Sequence, residues 1–282
     1  VVKLYLFQMA MMVTFIVVIR LWRHELHPVP VDFLEPELAH GTHGLWRVLI
    51  LDALPGNLNI LPLYIALLIA FPLMYWGLTR AKWLTLLFSA ALWGTINLDP
   101  ALNIPNWLDP DGWYFDPFAW QFLFVLGAWA AMDTARTGGD VPHRPILVAA
   151  CWAYLLFSGL ESFPWAQWHL PDLAPVHVPP PQKTPLSPLR LLDVMAIFYL
   201  VQGSRIARYV AEGRAGQVLA VYGRHSLEVF ALGTVFDLFG RLLMLTWGDG
   251  WLMQGAVNVA GLGLLYLTAR ELDRRKRRRK AA

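Results

Sequence analysis

A few polar side chains sit in otherwise apolar stretches at spacings that let them act together. Asp237 and Arg241 are four residues apart and Arg190 and Asp193 three apart, so each pair shares a helix face and can neutralise itself. Ionisable groups at membrane depth are costly, which makes these four candidates for function as well. Gln121, directly after Trp120, suits an interhelical hydrogen bond or a pocket. Arg224 and Glu228 stand one turn apart, as in a pair at a membrane border. His225 beside them has the chemistry of an acid or base, or is a border histidine without a role. His24/His27 and His40/His43 are spaced as metal-binding pairs are, but no carboxylate or cysteine at ligand spacing completes a site. The one cysteine, Cys151, lies in an apolar run; it excludes an intramolecular disulfide and reads as a small buried hydrophobe. There is no nucleophile elbow, phosphate-binding glycine loop or two-histidine zinc motif.

The elements that must hold these groups are membrane helices. Of the 282 residues 57% are hydrophobic and 15% charged, with a mean hydropathy of +0.45. That balance excludes an ordinary soluble enzyme, a disordered chain and a fibrous repeat. The 14 tryptophans and 20 prolines fit a polytopic membrane protein with structured loops. A membrane helix needs roughly 20 mostly apolar residues. Eight segments qualify, near Leu4–Leu21, Ile60–Leu78, Trp83–Asn97, Phe118–Met132, Ile146–Leu160, Leu189–Ser204, Ser226–Leu245 and Met253–Thr268; the third to fifth are short and extend into their flanks if they span.

Basic residues orient these spans. A cytoplasmic N-terminus puts on the inner side all of the 23 Lys and Arg except Arg20, Arg23, Arg47, Lys183, Arg190 and Arg241. Both termini are therefore expected inside. The basic tail after Thr268 is expected to fix topology and touch anionic lipid rather than nucleic acid. Three outer connections are long: about Trp22 to Asn59; Leu98–Pro117, with four aspartates and no Lys or Arg; and Glu161–Pro188, with Pro179 to Pro181 in a row and the aromatics Phe163, Trp165 and Trp168. Loops of this length suit lids or binding surfaces.

Four segments carry a family resemblance. Ile60–Ile65 opens the second span, Tyr114–Ala128 leads into the fourth, Lys183–Leu192 leads into the sixth, and Tyr222–Phe230 opens the seventh. In this order and spacing they resemble the OpgC family, succinyltransferases of osmoregulated periplasmic glucans within the wider group of membrane acyltransferases. The likeness runs from about Val1 to Thr268, and the second segment is its most specific part. It implies an all-α integral membrane protein of the bacterial inner membrane, with residues 1–268 as the acyltransferase domain and 269–282 as a polybasic cytoplasmic tail. It also implies transfer of a succinyl or other acyl group from cytoplasmic acyl-CoA, a donor substrate and not a bound cofactor, to glucan hydroxyls facing the periplasm.

The family has about ten spans, and its first helix contains an Asp, an Arg-Gly pair and a His that look catalytic. Val1 stands at what resembles the third span, so the catalytic groups are expected upstream of it. Asp193 stands where the family often has a histidine. Among the residues present, the resemblance points to Asp116, Trp120, Gln121, Lys183 and Arg190 as substrate-binding groups. Arg190 would face the succinyl carboxylate and Asp116 would position its loop. Arg205, Arg208, Arg224 and His225 fall on the acyl-donor side, where arginines attract the phosphates of CoA. The competing readings are a glycan or lipid transporter or flippase subunit, against which the lack of internal repeats argues mildly, and an inactive truncated product.

Overall fold

A computed structural model describes residues 1–25, 41–55, 58–138, 142, 144–202 and 204–281. Among these residues the chain is all-α, with no strand. Its helices are α1 Val2–Glu25, α2 Gly41–Leu49, α3 Ile60–Arg80, α4 Lys82–Leu98, α5 Pro117–Thr137, α6 Pro145–Ser162, α7 Pro188–Val201, α8 Arg205–Glu212, α9 Arg214–Arg224, α10 Ser226–Trp247 and α11 Trp251–Ala281.

All eight expected spans coincide with a helix, and five of these helices (α1, α3, α6, α10 and α11) are long and apolar enough to cross a membrane by length and composition. The chain is thus a multi-pass membrane protein. The 17 residues of α4 and 14 of α7 are shorter than a typical crossing. Helix starts follow local chemistry: Pro117, Pro145 and Pro188 open α5, α6 and α7, where a missing N–H costs nothing. Gly138 ends α5 in the left-handed conformation at φ 65°.

Three expectations need adjusting. The connection from about Trp22 to Asn59 is not all loop: α1 runs on to Glu25, and α2 is a short amphipathic helix. The stretch after α7 folds into two further amphipathic helices, α8 and α9, whose polar faces disguise them in a search for apolar runs. Cys151 is only half-buried, on a helix that buries none of its residues.

The chain forms two compact units. One comprises residues 1–66, 105–110 and 210–282, the other 67–104 and 111–209. In the first, α1 packs on α10 around Met11, Met12, Phe15, Ile19, Leu238 and Leu242. Buried Gln8 of α1 donates from Nε2 to the Leu58 carbonyl (3.0 Å), and Trp22 donates from Nε1 to Thr246 Oγ1 (3.1 Å). The α10–α11 hairpin is close because Gly240 has no side chain; a Cβ there would come within 2.6 Å of Val257 Cγ1. The basic tail continues α11 without a break to Ala281.

In the second unit α4 and α5 form the tightest helix pair. Ile96, Ala119, Leu186 and Leu191 make its core, with Trp93 and Trp120 against it. The 161–188 connection is sewn to this pair by backbone acceptors. Trp93 Nε1 donates to the Leu186 carbonyl (2.8 Å), and Asn97 Nδ2 donates to that of Pro185 (2.8 Å). The unit also carries the antiparallel pair α6–α7.

Candidate functional site

The residues singled out from the sequence divide into three groups. Asp116, Trp120 and Gln121 hold the α4–α5 pair and the loop beside it. Asp116 is the N-cap of α5: its Oδ1 accepts from the Phe118 N–H (2.8 Å), satisfying one orphan donor of the first turn. Its own N–H donates to the Thr184 carbonyl (3.3 Å), and Trp120 Nε1 donates to that of Lys183 (3.0 Å). Asp116 is fully buried, and burial pushes its pKa up to about 6 although the backbone N–H groups of Phe118 and Ala119 pull the other way. Gln121 is also buried. Its Oε1 accepts from Ser89 Oγ of α4 (2.5 Å), and its Nε2 donates to the Ser89 carbonyl (2.9 Å).

Lys183 and Arg190 come together elsewhere in the same unit, in a cavity of about 370 Å³ between α6, the start of α7 and the 178–183 segment. Tyr154, Ser158, Glu161 and Ser162 of α6 complete its polar wall. Arg190 donates from Nη2 to the Pro181 carbonyl (3.1 Å), while its buried Nε has no partner. It does not form the expected pair with Asp193. The reason is local: the proline run folds back over the first turn of α7 and offers a carbonyl closer to the guanidinium. Glu161 spends its charge on the backbone. Its Oε1 accepts from the N–H of Val176 (2.7 Å) and His177 (3.3 Å), and Oε2 accepts from that of Val178 (2.8 Å). The cavity thus presents two cations, one carboxylate already engaged by amides, and three hydroxyls. Such a set fits an anionic substrate group.

Sequence reasoning passed over Tyr154, Ser158 and Glu161. Their spacing of four and then three residues, which puts them on one face of α6, was the available signal.

Arg224 and His225 lie in the other unit, at the junction of α9 and α10. Arg224 grips Asp273 of the tail helix from Nε (3.1 Å) and Nη2 (3.4 Å), while Glu228 pairs with Lys3 (2.7 Å). The expected Arg224–Glu228 border pair is therefore replaced by two partners from distant helices, which packing brings nearer than the next turn. His225 is buried, with Nε2 3.7 Å from Asp273 Oδ1 and no hydrogen-bond partner. The Asp237–Arg241 pair forms as expected, at 3.0 Å. His27 and His40 lie outside the described residues, as do the side chains of His43 and Arg205. Among the described residues no three or more His, Cys, Asp and Glu are grouped so as to hold a metal.

The chain matches no curated protein and no solved structure. A family model described as OpgC protein matches residues 1–277, and the chain accordingly belongs to the OpgC family.

Proposed function

We propose that the protein is a membrane O-acyltransferase that moves a succinyl or related acyl group from acyl-CoA on the cytoplasmic side of the bacterial inner membrane to glucan hydroxyls on the periplasmic side. Family membership supports acyl transfer in general. The observation that carries the finer reading is the cavity of Lys183 and Arg190. A succinyl group differs from an acetyl group by a distal carboxylate, and a guanidinium with an unused, buried Nε beside a lysine is suited to bind one. Tyr154 and Ser158 add hydroxyls at the same wall, although the Tyr154 hydroxyl already donates to the Leu189 carbonyl (2.6 Å).

In this reading Asp116, Trp120 and Gln121 position the loop and helix pair next to the substrate. Arg224 and His225 belong to the donor side, where Asp273 neutralises part of the arginine's charge and a CoA phosphate would compete with that carboxylate.

The test is acyl transfer by purified protein with labelled acyl-CoA donors. Arg190→Ala should lower succinyl transfer by about 1.5–3 kcal/mol, the usual worth of a hydrogen bond to a charged group. Acetyl transfer should change little. Equal losses for the two donors would remove the carboxylate-binding role. Absence of any acylated product from the wild type would favour a transporter or flippase instead.

A further inference from the structure

Glu161 stands in the wall of the Arg190 cavity, where a carboxylate should repel the anion that the two cations favour. Its surroundings account for its presence. The N–H groups of Val176, His177 and Val178 converge on its two oxygens, at 2.7, 3.3 and 2.8 Å. His177, the middle one, has a left-handed backbone at φ 59°, which is rare for a residue with a side chain. Successive N–H groups around a left-handed residue form a backbone nest, a concavity that binds anions. The Glu161 carboxylate fills this nest, and the three amides take up its charge.

The nest is one end of a strap. Directly after Val178 come Pro179, Pro180 and Pro181, which have no N–H to give and a fixed φ, so this piece is stiff. At its far end the Pro181 carbonyl accepts from Arg190 Nη2 (3.1 Å). Beyond that point the chain is sewn down. The Gln182 carbonyl accepts from the Ser187 N–H (3.2 Å), that of Lys183 from Trp120 Nε1 (3.0 Å), and that of Thr184 from the Asp116 N–H (3.3 Å). The stretch 176–181 is thus tied by two side chains, Glu161 at one end and Arg190 at the other, and both line the same cavity. A stiff strap carries a displacement from one end to the other, so the seat of the nest sets the seat of the Pro181 carbonyl. That carbonyl holds one corner of a planar, rigid guanidinium and thereby sets the direction of its unpartnered Nε.

We propose that Glu161 is a positioning residue: its carboxylate, held in the nest, fixes the strap and through Pro181 orients Arg190. The inference deepens the carboxylate-binding reading of this cavity and rests on it only for what Arg190 then binds. The expected sign is opposite to that of charge alone. Neutralising Glu161 takes a negative charge out of an anion site, which by Coulomb's law tightens an anion; loss of positioning weakens it.

The experiment uses the full chain in lipid nanodiscs and Glu161→Gln, which keeps the size of the side chain but removes its charge. Hydrogen exchange reads the amides of residues 176–178. Phenylglyoxal modification followed by peptide mass reads the freedom of Arg190 without any ligand, and calorimetry reads the binding of free succinate, with Arg190→Ala alongside. In Glu161→Gln, exchange at 176–178 and succinate Kd should each rise roughly tenfold, the size of one lost hydrogen bond to a charged group. Arg190 should be modified faster. Trp152→Ala, on the exposed face of α6, should change none of the three. Should Glu161→Gln lose its helical spectrum, Glu161→Asp carries the comparison, because its shorter arm cannot reach all three amides. Unchanged exchange at 176–178, or faster exchange with unchanged modification of Arg190, overturns the inference. So does a succinate Kd that Arg190→Ala raises and Glu161→Gln leaves unchanged or lowers. A wild type that binds no succinate, or a Kd indifferent to Arg190→Ala, rejects the carboxylate-binding reading, and the modification rate of Arg190 then decides the positioning role by itself.

Discussion

Arg190 and Asp116 each leave a buried polar atom unused, and such atoms are expensive unless something completes them. Arg190 keeps Nε without a partner in the cavity wall, which is the reason for assigning it a substrate carboxylate rather than a purely structural task. Asp116 keeps Oδ2 unpartnered beneath the cap of α5. The sign of its contribution follows from its pKa, which burial raises from 3.8 to about 6. The folded state then holds the proton more tightly than the unfolded chain does, so this group's stabilisation is complete below the unfolded value and is lost as pH rises through the folded one. Melting temperature in detergent should fall between about pH 4 and pH 7. Asp116→Asn, which keeps the capping oxygen but cannot ionise, should flatten that slope. Parallel pH profiles for the two proteins would refute the account. The capping role of Asp116 was legible from Asp-Pro at the head of an apolar run. Its burial was not, since that depends on the 183–186 segment folding over it.

Helix pairing decides what Gln121 does. A lone glutamine in an apolar stretch reads equally as a pocket group or as an interhelical clamp, and the difference lies in whether a partner stands opposite. Ser89 does, 32 residues earlier, and the two share a pair of buried hydrogen bonds between α4 and α5. Gln121→Leu should destabilise the protein by about 1–2 kcal/mol, the range for polar contacts between membrane helices. A double-mutant cycle with Ser89→Ala should show the two changes to be coupled. Undiminished stability together with lost transfer would instead return Gln121 to the substrate. Most helices were legible at this scale, because a bilayer demands long apolar runs and proline marks their starts. The amphipathic α2, α8 and α9 were not, because short helices with one polar face resemble loops when only apolar length is counted.

For the whole molecule, the proposed orientation, with both termini on the cytoplasmic side and the 161–188 segment on the periplasmic side, rests on the charge asymmetry of the connections. In a Cys151→Ala background, Gln167→Cys should react with an impermeant maleimide added to intact spheroplasts, and Arg279→Cys should react only after lysis. The reverse pattern would invert the topology and place the carboxylate-binding cavity in the cytoplasm. The all-α, multi-pass character was decided by the sequence alone. The cost of burying backbone and charge in hydrocarbon acts on every segment separately, so composition and the positions of Lys and Arg suffice. Only tertiary structure decided which polar groups meet. Lys3 reaches Glu228 across 225 residues and Arg224 takes Asp273 across 49, and Tyr154, Ser158 and Glu161 of one helix face Lys183 and Arg190 of another stretch of chain. Local spacing favoured nearer partners, Glu228 for Arg224 and Asp193 for Arg190. Packing overruled it because the geometry of a charged hydrogen bond is set by which helices touch, and helices that touch need not be neighbours in sequence.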